Sequence, residues 1–348
     1  MSIPQWQYLH GEPVQQGRIK AYESDFCVTE ELGYGPDGQG EHLFLLIEKR
    51  GLNTAAVAKM IAIWANVAVR DVSYAGLKDR HGITRQTFSV QLPGVSSPQL
   101  ALLETEQLRV ISAQRNSKKL RRGALKANQF KLVIRGLEKD EHINKRLIDI
   151  AKLGVPNYFG EQRFGHNGQN IDAAKELFAG KKVKNRDKRS IYLSAARSLV
   201  FNDVVSARIE QSLHLKPIPG DAFILNGSKA GFTPESIDEE IVNRFATHDI
   251  VLSGPMIGKG EKVHSDALAF ESSIVEQHQS LLSGLTKHGL KHERRALLLM
   301  PTDMEWHFDD AGLNISFTLP AGSYATSVMR EIAKISDVSS YTFKRDNE

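Results

Sequence analysis

The residues best suited to chemistry lie in the segment YAGLKDRHG, which runs from Tyr74 to Gly82. This segment places one short carboxylate, Asp79, between the cations Lys78 and Arg80. Neighbouring positive charge favours the ionised form of a carboxylate, and an ionised aspartate can act as a nucleophile. On composition alone, a surface ion pair fits the triplet better than a reactive group does. The assignment of Asp79 therefore depends on the motifs around it.

Other segments resemble cofactor motifs but lack residues that those motifs need. In GYGPDG, Gly33, Gly35 and Gly38 have the spacing of a dinucleotide-binding loop, but Pro36 interrupts it. A strand pattern follows instead of a helix, so we interpret the segment as a hairpin turn. GPMIGKG is one residue too short for a P-loop, and Gly260 stands where Ser or Thr would bind magnesium. HERRA lacks the second histidine of a zinc-protease helix. The sequence therefore predicts no cofactor and no metal.

The chain has 348 residues, of which 41% are hydrophobic and 25% are charged. These are ordinary globular values, and the length favours two domains. The single cysteine, Cys27, cannot form an internal disulfide or a cysteine-based metal site, and we expect it to be a small packed residue. We find no signal peptide and no apolar run long enough to span a bilayer, which predicts a cytoplasmic protein with no membrane partner.

The net charge is only +4, which permits an anionic partner without requiring one. The distribution of the charge is more informative, because basic residues concentrate in two short clusters. The first contains Arg115, Lys118, Lys119, Arg121, Arg122 and Lys126, and the second contains Lys181, Lys182, Lys184, Arg186, Lys188 and Arg189. Each cluster alone fits a solvated face, but together they predict surfaces that contact phosphate groups.

Hydrophobic periodicity gives the elements that must position these residues. Alternation of period two predicts strands over 18–22, 25–31, 42–49, 69–74, 86–92, 129–135, 304–308 and 313–319. Spacings of three and four predict a helix after Asn53, and others over 140–153, 170–178, 190–213, 267–285 and 327–335. The stretch 217–262 is punctuated by Gly and Pro and receives no element. The loop that contains Asp79 is thus predicted to lie between two strands.

Strands at both ends of the chain, with helices between them, indicate a discontinuous domain that carries an insertion. We predict an α+β catalytic domain with a mixed, largely antiparallel sheet and flanking helices. It is built from residues 1–153 and 304–348. The insertion, 154–303, is predicted to be a mainly helical α/β domain.

Five longer segments give the chain a family resemblance. They are AGLKDRHGITRQ, GALKANQFKLVIR, GVPNYFGEQRFG, RSIYLSAARSLVFN and LPAGSYATSVMRE. In this order they resemble the motifs of the TruD family of tRNA pseudouridine synthases, and the resemblance extends from residue 19 to residue 331. It implies a pseudouridine synthase-like catalytic domain and an inserted TRUD domain.

The resemblance implies that Asp79 is the catalytic aspartate, with Lys20 as its basic partner. It also implies that Phe26, in the opening block IKAYESDFCVTEEL, is an aromatic of the substrate pocket. Each residue also has a structural interpretation. Lys20 also fits an ordinary lysine of an edge strand, and Phe26 alternates with apolar neighbours as a core residue does.

The same resemblance implies substrate contacts for Asn128, for Phe130, which would stack on the target base, and for Tyr324, which stands where relatives often have Phe. The added hydroxyl of Tyr324 needs a partner or water. Phe130 also fits a core position, and Asn128 also fits a turn. Arg163 of GEQRFG fits an RNA-phosphate contact and a structural link between domains equally well.

The implied reaction is conversion of uridine 13 in the D-arm of tRNA to pseudouridine, with no cofactor and no obligatory protein partner, by an enzyme that we expect to be a monomer. Asp79 would attack a flipped-out uridine at C6 of the base or at C1′ of the ribose, and the sequence leaves both routes open. The alternatives are a non-catalytic protein that binds or folds RNA and an RNA methyltransferase. The second needs a glycine-rich cofactor loop that leads into a helix, which GYGPDG does not do.

Overall fold

The computed structural model describes residues 3–94, 96–228, 230–260 and 266–339. The chain forms two compact units. Unit one consists of Met1–Pro13, Arg146–Met300 and Ser323–Ile332, and unit two consists of Val14–Lys145, Pro301–Gly322 and Ala333–Glu348. Residues 1–13 and 323–332 thus group with the central segment by contacts, whereas the sequence assigned them to the domain formed by the chain ends. The functional division into 1–153, 154–303 and 304–348 stays a prediction.

The strands and helices have the following bounds. The strands are β1 Gln16–Ile19, β2 Phe26–Leu32, β3 His42–Arg50, β4 Val72–Tyr74, β5 Ile83–Gln91, β6 Leu108–Asn116, β7 Leu125–Ile134, β8 Val155–Pro156, β9 Phe223–Leu225, β10 Gly231–Phe232, β11 Ile250–Met256, β12 Glu293–Ala296, β13 Leu298–Leu299, β14 Thr302–Asp309, β15 Gly312–Pro320 and β16 Lys334–Asp337. The helices are α1 Thr54–Trp64, α2 Glu141–Leu153, α3 Gln169–Phe178, α4 Arg186–Glu210, α5 Glu239–Ala246, α6 Asp266–Val275, α7 Gln279–Lys287 and α8 Ala325–Ile332.

Unit two is built on one large sheet with the strand order β14-β15-β7-β2-β5-β3-β6, and β4 pairs with the second half of β5. The β2–β5 pair is parallel, and the other pairs in this sheet are antiparallel. A separate two-stranded ribbon joins β1 and β16 in parallel. The predicted α+β fold with a mixed, largely antiparallel sheet is confirmed.

Helix α1 covers one face of this sheet, as the sequence predicted. Asn53 caps the helix, because its side chain accepts a hydrogen bond of 2.8 Å from the backbone N–H of Ala56. Val57 and Ile61, four residues apart, are fully buried. They belong to the same apolar cluster as Phe88 of β5, so the periodic face of the helix packs on the sheet.

Unit one is mainly helical, and its core surrounds the long helix α4. The buried face of α4 includes Leu199, Phe201 and Val204, which lie in one apolar cluster with side chains from α3, α6 and α7. A four-stranded sheet of order β10-β9-β11-β12 and a two-stranded pair, β13-β8, complete the unit. Among the described residues, no helix is long and apolar enough to cross a membrane.

Several predicted elements differ from the observed ones. Helix 327–335 is wrong at its end, because α8 stops at Ile332 and β16 follows, paired with β1. The predicted hairpin at GYGPDG is also wrong, since β5 lies between β2 and β3. Helix 267–285 is divided into α6 and α7, and β6 was missed. The stretch 217–262 holds β9, β10, α5 and β11, while its last two residues lie outside the described ones.

Candidate active site

The loop that carries Asp79 joins β4 to β5 in unit two, as predicted. The first half of β5 pairs with β2, where Ile83 lies opposite Cys27, and its second half pairs with β4. The loop therefore ends beside the start of β2. Gly82, at φ +143°, allows this approach, because a β-carbon at that position would collide with the carbonyl oxygen of Phe26.

Asp79 projects from this loop with 58% of its side chain exposed. Lys20 Nζ lies 3.6 Å from Asp79 Oδ2, although only 12% of the lysine side chain is exposed. Lys20 follows β1 directly and takes a left-handed backbone conformation, with φ 59°. Its ammonium also lies 4.5 Å from the centre of the Phe26 ring. Three residues singled out in the sequence, Asp79, Lys20 and Phe26, are thus close together.

A second carboxylate, which the sequence did not identify, also binds Lys20. Asp337 Oδ2 lies 3.1 Å from Lys20 Nζ, because β1 and β16 run side by side and Ile19 pairs with Asp337. Partial burial raises the pKa of Asp337. The Ser339 hydroxyl and the Lys20 ammonium outweigh that effect and hold this pKa below its ordinary value. No local pattern indicates the pairing, since the two strands lie at opposite ends of the chain.

An aromatic row lines the sheet next to these charges. Phe26 of β2 meets Phe130 of β7 at 6.4 Å between ring centres in an edge-to-face arrangement, and Phe130 lies 5.5 Å from Phe317 of β15. Phe26 and Phe130 are buried. Their core packing, which the sequence allowed as an alternative, is therefore observed, and Phe26 also lies beside Lys20.

Asn128 lies two residues before Phe130 on β7, opposite Glu30 of β2. Both polar side chains are buried. Among the described residues, Asn128 Oδ1 and Glu30 Oε1 have no hydrogen-bond partner, while Glu30 Oε2 accepts from the backbone N–H of Thr87. Burial raises the pKa of Glu30, and the charge of Lys78 opposes that shift. Buried unpaired oxygens are rare and costly, so this pair indicates a place where a ligand or water binds.

Two residues missed by the sequence analysis had detectable signals. Glu30 shares the inward face of β2 with Phe26 and Val28, so a carboxylate on an apolar face was the signal. Lys49 ends an apolar strand pattern and is fully buried, and its Nζ donates to the carbonyl oxygen of Asp79 at 2.8 Å. Charged residues are common at the ends of strands, so the sequence alone did not distinguish Lys49 from an ordinary strand-end lysine.

Tyr324 and Arg163 belong to unit one. The Tyr324 ring lies 5.9 Å from Phe159 in an edge-to-face contact, and the Arg163 guanidinium donates to the Tyr324 hydroxyl and, at 3.0 Å, to Ser194 Oγ. The hydroxyl thus has the partner that the sequence required. Arg163 joins three segments of one unit, and neither of its two predicted roles is tested.

The first basic cluster extends from the end of β6, which holds Arg115, to the start of β7, which holds Lys126. Lys119, Arg121 and Arg122 line a groove of ≈ 500 Å³ together with Arg70, and we call these four residues the basic groove. Within the described residues, none of the four forms an ion pair with a carboxylate. Lys118 is exposed and does not line the groove.

The basic groove is connected to the Asp79 loop. The backbone N–H of Gly123, directly after Arg122, donates to the carbonyl oxygen of Ala75 at 3.1 Å. On the other side, Lys119 Nζ donates to the carbonyl oxygen of Arg70 at 3.1 Å. The backbone directly after Arg122 is therefore fixed next to the segment that carries the carboxylate.

Comparison with known proteins places this chain in a family. The chain matches the family model for tRNA pseudouridine synthase D (TruD) over residues 3–183 and 179–332. It is 46% identical over 331 residues to tRNA pseudouridine synthase D of Aeromonas hydrophila, covering 95% of this chain and 94% of that protein. It is 45% identical over 329 residues to the protein of the same name from Methylococcus capsulatus, covering 93% of each.

A solved structure shares the fold. The crystal structure assigned to tRNA pseudouridine synthase D from Methanosarcina mazei superposes with a TM-score of 0.71 at 18% sequence identity, covering 97% of this chain and 98% of the other. At that identity the likeness concerns the fold alone.

Proposed function

Because this chain belongs to the TruD family, we propose that it is a tRNA pseudouridine synthase that converts uridine 13 in the D-arm of tRNA to pseudouridine. The observation that best supports this proposal is the exposed carboxylate of Asp79, which lies 3.6 Å from Lys20 Nζ. The Phe26 ring lies beside the same ammonium. The enzyme would be a cytoplasmic monomer that needs no protein partner.

The reaction is an isomerisation in which all atoms are conserved. The bond from N1 of uracil to C1′ of ribose breaks, the base turns, and C5 forms a new bond to C1′. The hydrogen of C5 leaves as a proton, and N1 gains one. Asp79 is the proposed nucleophile, which attacks C6 or C1′, and its 58% exposure leaves it accessible to a flipped-out nucleotide.

Lys20 is proposed to orient the Asp79 carboxylate through their ion pair. The lysine side chain is only 12% exposed and also contacts Asp337, so its ammonium is held by two carboxylates. A fixed cation beside the nucleophile holds it in one orientation for attack.

Phe26, Phe130 and Asn128 are proposed to bind the uracil. Flat aromatic faces support a base while it turns in its own plane, and base stacking on an aromatic ring contributes roughly 1–3 kcal/mol. The unpaired Oδ1 of Asn128 is an acceptor that could bind an N–H of the base. Tyr324 is proposed as a further stacking ring on the family resemblance alone.

The basic residues are proposed to bind the RNA backbone. Three of the five residues predicted to contact the RNA backbone, Lys119, Arg121 and Arg122, line the basic groove with Arg70, and we extend the proposal to Arg70 for that reason. Lys118 and Arg163 remain weaker proposals, since Lys118 lies outside the groove and Arg163 already donates to two hydroxyls.

The test is product analysis of an unmodified tRNA transcript after incubation with the pure protein. We expect pseudouridine at position 13 from the wild type, none from Asp79→Asn, and normal product from Asp310→Asn, which changes an exposed aspartate at a turn. A transcript with cytidine at position 13 should yield no product.

The leading alternative predicts a different result. A protein that only binds or folds RNA would make no pseudouridine from any tRNA of a whole-cell pool, and Asp79→Asn would bind RNA as the wild type does. That outcome would overturn the proposed isomerase.

A further inference from the structure

Three side chains form hydrogen bonds with the backbone of the Asp79 loop. Gln86 Nε2 donates to the carbonyl oxygen of Gly76 at 2.5 Å, Thr54 Oγ1 accepts from the backbone N–H of Lys78 at 3.0 Å, and Lys49 Nζ donates to the carbonyl oxygen of Asp79 at 2.8 Å. We call Lys49, Thr54 and Gln86 the loop cradle. Each member binds a different residue of the loop.

The loop cradle is rigid because its members lie on regular elements and contact one another. Lys49 is on β3 and Gln86 on β5, two adjacent strands, and Thr54 begins α1. Thr54 Oγ1 also donates to Gln86 Oε1 at 3.0 Å. All three are at most 1% exposed. Buried side chains that are locked by packing hold a site more precisely than a loop can by itself.

Lys49 is the unusual member, because a buried ammonium is expensive. Among the described residues, no carboxylate lies within ion-pair distance of its Nζ, which instead donates to two carbonyl oxygens, those of Leu52 and Asp79. Burial lowers the pKa of Lys49 to about 8, and the charge of Lys78 acts in the same direction while that of Asp79 opposes it. A methionine would fill the same space without this cost. The amine therefore needs an explanation other than stability.

The exposure of Asp79 supplies that explanation. More than half of the Asp79 side chain is exposed to solvent, so few side-chain contacts can fix its position. The only part of Asp79 that Lys20 contacts is the carboxylate, at 3.6 Å. On a mobile backbone, that carboxylate would move away from the lysine. Lys49 holds the backbone of Asp79 through its hydrogen bond to the carbonyl oxygen.

We propose that Lys49 is a positioning residue, which fixes Asp79 for attack through its hydrogen bond to the Asp79 carbonyl, with Thr54 and Gln86 holding the preceding residues. This inference rests on the proposed function. Misplacing a reacting group by about 1 Å can cost on the order of 10²-fold in rate, so the loop cradle should affect turnover rather than RNA affinity.

The first test is Lys49→Met, assayed for single-turnover rate, KM and tRNA binding. We expect the rate to fall by about 10²-fold, with KM and tRNA affinity within about twofold of the wild type. The melting temperature should not fall, because the buried charge is removed. Lys131→Met, an exposed lysine on β7 of the same sheet, should change none of these quantities. A folded Lys49→Met with the wild-type rate would overturn the proposal.

A second pair of variants guards against misfolding of Lys49→Met. Thr54→Val keeps the shape of Thr54 and deletes its hydroxyl, whereas Thr54→Ser keeps the hydroxyl. We expect the first to lower the single-turnover rate at unchanged KM and the second to restore it. Equal rates for Val and Ser, or a loss confined to KM, would contradict the role of the loop cradle.

Amide hydrogen exchange gives a readout that does not depend on activity. In Lys49→Met, we expect faster exchange at loop residues 76–80, including the Lys78 amide that Thr54 binds, and unchanged exchange in β3 and β5. If the wild type makes no pseudouridine but this local change occurs, the proposed function fails and the positioning of the loop stands. Unchanged exchange in the loop would overturn the positioning role.

Discussion

Lys20 and Asp337 form the closer of two ion pairs at the site, with 3.1 Å between Nζ and Oδ2, whereas Asp79 lies 3.6 Å from the same ammonium. Asp337 therefore holds Lys20 while leaving it within reach of Asp79. We expect Lys20→Met to lower the turnover rate on the order of 10²-fold, because it removes the charge that faces the nucleophile. Asp337→Asn should lower it no more than about fivefold, since a partly exposed ion pair contributes up to about 1 kcal/mol.

Single-turnover assays on a tRNA transcript distinguish these effects. Equal losses of turnover rate for Lys20→Met and Asp337→Asn would mean that the reactivity of the Asp79 carboxylate depends on Asp337 and not on the charge of Lys20 alone.

The aromatic row predicts a separate effect on substrate binding. Phe130→Leu retains an apolar side chain but removes the ring, so a stacking contribution of roughly 1–3 kcal/mol should be lost. We expect kcat/KM to fall by about 5- to 150-fold. Phe317→Leu is the control, because Phe317 is also a buried phenylalanine and lies 5.5 Å from Phe130. Similar losses in both variants would assign Phe130 to core packing only.

Stability should depend on pH through Lys49. Its pKa falls from 10.5 to about 8 on folding, so the unfolded chain binds more protons between these values and stability rises with pH across that window. Below pH 8 the cost, about 3 kcal/mol, is present in full. In urea titrations, Lys49→Met should be more stable than the wild type near pH 7, and the difference should shrink as pH approaches 10. A difference that is constant with pH would contradict this linkage.

The basic groove predicts a change in salt dependence. Replacing Arg70, Lys119, Arg121 and Arg122 by Ala should weaken tRNA binding and reduce the slope of log K against log [salt] by about 3, if each cation contacts a phosphate. Replacement of four exposed lysines elsewhere, Lys59, Lys131, Lys139 and Lys216, is the control. An unchanged slope in the first variant would make the groove an ordinary solvated surface.

An ion pair between the buried carboxylate of Asp25 and the partly exposed Arg135 supports the start of β2 and thus Phe26. Asp25, 1% exposed, accepts two hydrogen bonds from Arg135 at 2.7 and 2.8 Å and one from the backbone N–H of Tyr22 at 3.0 Å. Removing one partner leaves the other uncompensated, so Asp25→Asn should lower the free energy of unfolding by about 3 kcal/mol. Denaturant titration should show almost no change for Asp310→Asn, and equal stability of both variants would contradict the assignment.

The sequence predicted the local parts of the structure well. The Asn53 cap, the buried face of α1 and the position of the Asp79 loop between two strands are confirmed, because each depends on a few neighbouring residues. The family motifs supplied Lys20, Phe26 and Phe130, and in the structure Lys20 lies beside Asp79, Phe26 beside Lys20, and Phe130 beside Phe26. Their catalytic and binding roles stay predictions.

The errors arose where distant segments decide the structure. The pattern of 327–335 is helical throughout, but pairing of β16 with β1 converts its end into a strand. The same pairing positions Asp337, which no local pattern indicates. Lys49 was overlooked for a related reason, since a lysine at a strand end is ordinary until the loop above it is known. At the end of 327–335 a tertiary contact overrides local propensity, whereas at Lys49 a tertiary contact gives an ordinary strand residue its role.

The strand order also constrains when the large sheet can fold during synthesis of the chain. β7 is an interior strand only after β15 has been made and paired with it, and all of residues 146–300 are translated between the two. Until then the backbone edge of β7 that later pairs with β15 is open, and an open edge is a template for aggregation. The sheet that supports the proposed active site is thus completed only after β15 has been synthesised, and a ribosome-bound nascent chain that ends before residue 302 should still expose that edge to chaperones.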